Sequence, residues 1–115
     1  MKVLLIEDCE DIREMLVNMM TEMGYEVKAI EEYGKEIVNR IEDQIEDGVD
    51  LIVSDYNFSA FCRFDRVKEI ALKANLPVVL QTSEIETYSD YQVSKINLLH
   101  DLEPTIIRAL EDHSR

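Results

Sequence analysis

The 115-residue chain is short of the residues that punctuate or staple a fold: 3 Gly, 2 Pro, 2 Cys and no Trp. There is no Gly/Ser/Pro-rich linker, no internal repeat and no low-complexity stretch. One domain is therefore expected over residues 1–115, with no effector domain. Cys9 and Cys62 are not part of any Cys-x-x-Cys pair, which excludes a zinc ribbon or a dithiol redox motif. Two buried or half-buried thiols in a reducing cytosol are expected instead. Positive charge is also scarce, with 12 basic against 25 acidic residues and a net charge of −13. Phosphate backbones and anionic lipid repel such a surface, so neither nucleic acid nor membrane is expected as a partner. No apolar run approaches the roughly 18 residues that span a bilayer. The apolar run at residues 3–6 stops at Glu7-Asp8, which is not a signal peptide. The expected location is cytoplasmic.

What is present is apolar patterning, in a chain that is 46% hydrophobic. Val3-Leu4-Leu5-Ile6 has the unbroken apolar character of a strand buried on both faces. Ile12, Met15, Leu16, Met19 and Met23 then recur at helical spacing, with Gly24 just past the end. The methionines of this stripe are expected in the core. Residues 25–30 alternate as a second strand. Ile37, Val38, Ile41 and Ile45 form a second helical stripe that closes near Gly48. Residues 51–53 are a third strand running into Ser54-Asp55. Val67, Ile70, Ala71 and Ala74 mark a third helix, and residues 77–80 a fourth strand ending in Gln81-Thr82. Ile106, Ile107 and Leu110 mark a last helix, with Pro104 expected in its first turn. Strands alternating with helices predict an α/β fold, a doubly wound parallel sheet. Ligands of such folds bind at the carboxyl ends of the strands.

Those ends carry Glu7-Asp8, Asp55 and Thr82-Ser83. Three carboxylates gathered at one edge repel each other, and burial adds to the cost. A cation between them relieves both, and hard oxygen ligands favour Mg²⁺. The structural alternative for any one acid is a helix N-cap, as for Asp8.

The segment from Val3 to Asp8, followed by Asp11-Ile12-Arg13 and Gly24-Tyr25-Glu26-Val27, resembles the opening of a bacterial response-regulator receiver domain. Asp50-Leu51-Ile52-Val53-Ser54-Asp55-Tyr56-Asn57-Phe58 resembles the strand bearing that family's phosphorylated aspartate. Pro77-Val78-Val79-Leu80-Gln81-Thr82-Ser83 resembles its fourth strand. The resemblance implies a flavodoxin-like five-stranded parallel sheet in the order 2-1-3-4-5. It implies that Asp55 accepts a phosphoryl group from a histidine kinase or phosphotransfer protein. Asp8 and Asp55 would ligate Mg²⁺, with Glu7 helping through water and Asn57 lending its backbone carbonyl. Thr82 would bond a phosphoryl oxygen, and Lys95 would pair with the phosphoryl group or with Asp55. Glu84 and Asn57 stand where the family tunes dephosphorylation, a pair similar to the stand-alone chemotaxis receivers.

The chain departs from the family in four places. Glu7 replaces the commoner aspartate. The loop after Asp55 has no Pro or Gly and carries Phe58, Phe61 and Phe64, expected to form the buried face of one turn, with an exposed docking patch as the alternative. Arg63, Arg66, Lys68 and Lys73 form a local basic island, expected to be a solvated helix face. Only residues 83–94 separate Thr82 from Lys95. A strand of about five residues leaves no room there for a helix of about ten. The fourth helix is therefore expected to be truncated or absent, with the fifth strand within residues 91–95. Tyr91 or Tyr88 would then either stand in for the family's aromatic switch or simply cover the sheet, on an altered output face that leaves the oligomeric state open, a non-standard dimer included.

Two functions follow from this pattern. One is a phosphorylatable two-component receiver that signals through protein–protein contacts and turns over no metabolite. The other is a pseudo-receiver, an interaction module independent of phosphorylation. A phosphatase or nucleotide-binding enzyme is disfavoured, because there is no second acid after Asp55 and no Gly-rich phosphate loop. His100 and His113 are expected at the surface, without catalytic or metal partners.

Overall fold

A computed structural model describes residues 1–115. The apolar runs form the strands β1 (Lys2–Ile6), β2 (Glu26–Ala29), β3 (Leu51–Ser54), β6 (Val78–Thr82) and β7 (Gln92–Ser94). Between β3 and β6 lies a small antiparallel hairpin of β4 (Asn57–Ser59) and β5 (Cys62–Arg63). The helices are α1 (Glu10–Glu22), α2 (Ile37–Gly48), α3 (Phe64–Lys73) and α4 (Leu98–His113). The main sheet is parallel throughout, in the order β2-β1-β3-β6-β7. Counted over its own five strands, this is the expected order 2-1-3-4-5.

Strand alternation divides the core into two layers. Leu4, Ile6, Ile52 and Leu80 face α2 and α3, together with Ile37, Ile41, Phe64, Val67 and Ile70. Val3, Leu5, Leu51, Val53, Val79 and Val93 face α1 and α4, together with Leu16, Met20, Leu102 and Ile106. β3 is buried along its whole length, which explains its unbroken apolar sequence.

No helix forms between β6 and β7. Residues 83–91 instead lie beside the sheet, held by hydrogen bonds of their own. The Tyr88 N–H donates to Gln92 Oε1 (2.7 Å), Gln92 Nε2 donates to the Glu86 carbonyl (2.8 Å), and Lys68 Nζ donates to the Tyr88 carbonyl (3.3 Å). The Tyr88 ring stacks on Tyr56 with centroids 4.1 Å apart.

Several expectations are corrected. Cys9 is exposed, because it begins α1 at the sheet edge; only Cys62 is buried. Cys9, not Asp8, is the N-cap residue of α1, and no side chain caps there. On the methionine stripe Met15 is exposed, while Leu16 and Met20 carry the buried face. The three phenylalanines do not share one turn: the hairpin buries Phe58, α3 buries Phe64, and Phe61 in the hairpin turn is 60% exposed. Pro104 lies inside α4 rather than in its first turn, because the 3₁₀ turn Lys95–Asn97 leads directly into a helix that starts at Leu98. Pro104 is exposed, so the helical carbonyl it leaves without an N–H partner is on the solvated side.

Candidate functional site

Parallel pairing aligns the ends of three strands. Ile6 stands level with Ser54, and Ser54 with Leu80. One residue further, Glu7, Asp55 and Gln81 come level across β1, β3 and β6. The Asp55 N–H donates to the Ile6 carbonyl at 2.8 Å and continues the ladder to that level. The apolar runs at 3–6 and 78–80 end level with each other, and the run at 51–53 ends one residue earlier, with Ser54 completing β3 at that height.

Ligand oxygens of Glu7, Asp8 and Asp55 lie within 4.8 Å of one another. Glu7 is fully buried, Asp55 is 6% exposed and Asp8 is exposed, so the cluster opens to solvent on the Asp8 side. Lys95 Nζ bridges the two buried acids, 2.9 Å from Glu7 Oε1 and 3.2 Å from Asp55 Oδ1. The Tyr56 N–H also donates to Asp55 Oδ1, at 2.8 Å. Glu7 takes two further donors: the Cys9 N–H on Oε2 (3.0 Å) and Gln81 Nε2 on Oε1 (2.9 Å).

The electrostatics follow from these contacts. Burial and then the Glu7 charge push Asp55 up to about 6, against the pull of Lys95 and the Tyr56 N–H. For Glu7, burial also opposes ionisation, but the donors Lys95, Cys9 N–H and Gln81 outweigh it and hold its carboxyl below the ordinary range. Partial desolvation and the neighbouring Glu7 raise Asp8. Burial works against the Lys95 charge, but Glu7 and Asp55 together raise it above an ordinary lysine. Two of the three acids are thus raised in a partly dry cluster of hard oxygens. A divalent cation would relieve that repulsion, so the donor set fits one.

Thr82 is buried at the end of β6, and its Oγ1 accepts the Glu84 N–H at 3.1 Å. Glu84 is exposed, as is Asn57, which opens the hairpin two residues past Asp55. Tyr91 and Tyr88 lie away from the acids. The Tyr91 hydroxyl donates to Asp112 Oδ2 (2.7 Å), and the Arg108 guanidinium lies over its ring at 5.3 Å. Tyr88 is the ring stacked on Tyr56.

No family model matches the sequence, and no curated protein matches it. Solved structures do. The N-terminal domain of a response regulator/sensory box/GGDEF 3-domain protein from Carboxydothermus hydrogenoformans superposes at TM-score 0.80 and 21% identity, covering 99% of this chain and 97% of that one. The response regulator TrrA of Thermotoga maritima, solved with Mg²⁺-BeF, superposes at 0.76 and 22% identity, covering 95% and 98%. TrrA in complex with the histidine kinase ThkA superposes at 0.74 and 22% identity, covering 95% and 97%. The fold is the response-regulator receiver fold.

Within this receiver fold, three neighbours of Glu7 go unnoticed in the sequence. Gln81 is one. Tyr33 is another, its hydroxyl accepting the Glu7 N–H at 2.7 Å. The third is Arg13, whose Nη1 donates to the Glu7 carbonyl at 3.2 Å. A signal existed for Gln81, a polar residue interrupting an apolar strand. None existed for Tyr33, which reaches the site from the loop after β2.

Proposed function

We propose that this chain is a two-component receiver that accepts a phosphoryl group on Asp55 from a histidine kinase, with Mg²⁺ required. The observation that carries this reading is the gathering of Glu7, Asp8 and Asp55 at the strand ends with Lys95 bridging two of them. Asp55 Oδ1 takes both donors, Lys95 and the Tyr56 N–H, which leaves Oδ2 without a protein donor. Oδ2 is the attacking oxygen. Its new O–P bond forms as the bond from phosphorus to the donor's imidazole nitrogen breaks, and the imidazole leaves with the electron pair. Asp8 and Asp55, with Glu7 through a water and the Asn57 carbonyl, would hold Mg²⁺, which would supply charge neutralisation at the phosphoryl oxygens. Lys95 keeps its charge at neutral pH and turns from the carboxylate to the phosphoryl group. Thr82 gives its hydroxyl hydrogen to a phosphoryl oxygen. Glu84 and Asn57 line the approach of the hydrolytic water and set the lifetime of the phosphorylated form.

Output then passes to a protein partner through the surface of residues 83–91, β7 and α4, where the fourth helix of other receivers is missing. Tyr88 and Tyr91 are the aromatics available to report the state of Thr82. The acidic balance supports a cytoplasmic protein that binds neither nucleic acid nor lipid. The test is labelling by acetyl phosphate, read by intact mass. Wild type should gain one phosphoryl group with Mg²⁺ present, and Asp55→Ala should gain none. A folded wild type that takes neither phosphoryl nor beryllofluoride would leave the pseudo-receiver function standing.

A further inference from the structure

Gln81 has no place in the phosphoryl-transfer chemistry, yet it sits in the same row as the acids. It is fully buried and immediately precedes Thr82. Its Nε2 donates to Glu7 Oε1, and its Oε1 is buried with no hydrogen-bond partner. Burying a carboxamide with one end unbonded works against folding. An apolar residue would serve the strand better, so the amide end must serve something else.

Glu7 is what it serves. β1 and β6 flank β3, so residues 7 and 81 lie two strand spacings apart, roughly 9.6 Å. Only two long side chains meet across that gap. Glu7 is one methylene longer than aspartate, and Gln81 supplies the rest of the reach, over the strand that ends in Asp55. The glutamate and the glutamine are a matched pair. A carboxylate offers about four acceptor directions. Gln81 and Lys95 occupy two on Oε1, and the Cys9 N–H occupies one on Oε2. One direction on Oε2 is left for a cation or its water.

We propose that Gln81 is a positioning residue: it clamps the Glu7 carboxylate across β3, so that the longer acid serves the cation site formed with Asp8 and Asp55. The inference rests on the receiver function proposed above. Donors that orient a metal ligand in this way change metal affinity about 10- to 100-fold when removed.

The test is calorimetric titration with Mg²⁺ of wild type, Gln81→Met, Glu7→Asp and the double variant. Gln81→Met keeps the length and removes both polar atoms, and should weaken Mg²⁺ about tenfold. Glu7→Asp should weaken it as well. The double variant should bind no more weakly than Glu7→Asp alone, because the aspartate no longer reaches Gln81. It should also recover melting temperature lost in Glu7→Asp, where Gln81 is left with both ends unbonded. Losses that multiply in the double variant, or a Gln81→Met chain within twofold of wild type, overturn the positioning role alone. A wild type that binds no Mg²⁺ overturns the receiver function and the positioning role with it. Should Gln81→Met not fold, the metal-free ¹H–¹⁵N spectrum of Glu7→Asp decides. The Gln81 side-chain amide resonances should move, and unmoved resonances overturn the clamp.

Discussion

Asp55 is held in a place that disfavours its charge, and that makes Asp55→Asn a stabilising substitution with a definite pH signature. The carboxyl is raised from an ordinary 3.8 to about 6, first by burial and then by Glu7. Below about pH 3.8 the folded and unfolded chains both carry it protonated, and it contributes nothing. Between 3.8 and 6 the unfolded chain releases the proton and the folded chain keeps it, so stability falls as pH rises. Above 6 the full penalty is reached, about 3 kcal/mol for a shift of roughly two units. Asparagine removes the charge, and its Oδ1 still accepts from Lys95 and the Tyr56 N–H. Linkage puts the advantage of Asp55→Asn at about 3 kcal/mol at pH 7.5 and about 1 kcal/mol at pH 4.5. At about 4 °C per kcal/mol for a domain of this size, that is about 12 °C and about 4 °C in melting temperature. The assay is thermal unfolding followed by circular dichroism, in EDTA, at both pH values. Excess Mg²⁺ should narrow the gap at pH 7.5 by stabilising only the wild type, by about 2.7 kcal/mol at a hundred times its Kd. An Asp55→Asn chain that melts no higher than wild type at pH 7.5, or a gap that does not shrink at pH 4.5, would refute the reasoning.

Lys95→Met leaves the Glu7 and Asp55 carboxylates facing each other without their bridging cation. It should cost about 3 kcal/mol in urea unfolding at pH 7, and a loss below about 1 kcal/mol would show that the bridge contributes little. The phenylalanines beside the hairpin should separate cleanly. Phe64→Ala empties a fully buried site and should cost about 3–5 kcal/mol, whereas Phe61→Ser at an exposed site should stay within about 0.5 kcal/mol. Equal losses for the two, measured by chemical denaturation, would contradict the hairpin's orientation.

The missing fourth helix was legible by counting alone, because residues 83–94 cannot hold both a strand and a helix. The hairpin after Asp55 was not. Its residues 57–63 have neither a turn dipeptide nor clean alternation, and pairing of Asn57 with Arg63 is a long-odds choice for a local reading. The position of Pro104 within α4 is not legible for a similar reason: helix starts are set by capping and by the preceding turn, and neither Lys95–Asn97 nor the cap at Asn97 has a side-chain signal. The exposure of Cys9 is not legible locally, because a thiol's burial depends on where the sheet edge falls.

Local sequence sets the order of the five main-sheet strands and the four helices, though not the hairpin between β3 and α3. Apolar period is a local property, and an alternating order with short crossovers admits few topologies. It also determined which acids stand at strand ends, since each apolar run stops where its polar residue begins. Register and reach come from the packed fold. That Glu7, Asp55 and Gln81 share one row, that Lys95 spans Glu7 and Asp55 from the turn after β7, and that Tyr33 accepts the Glu7 N–H all depend on parallel pairing between segments distant in the chain. Register is a property of pairs of strands, and it is set by the packing of two apolar layers rather than by any single segment.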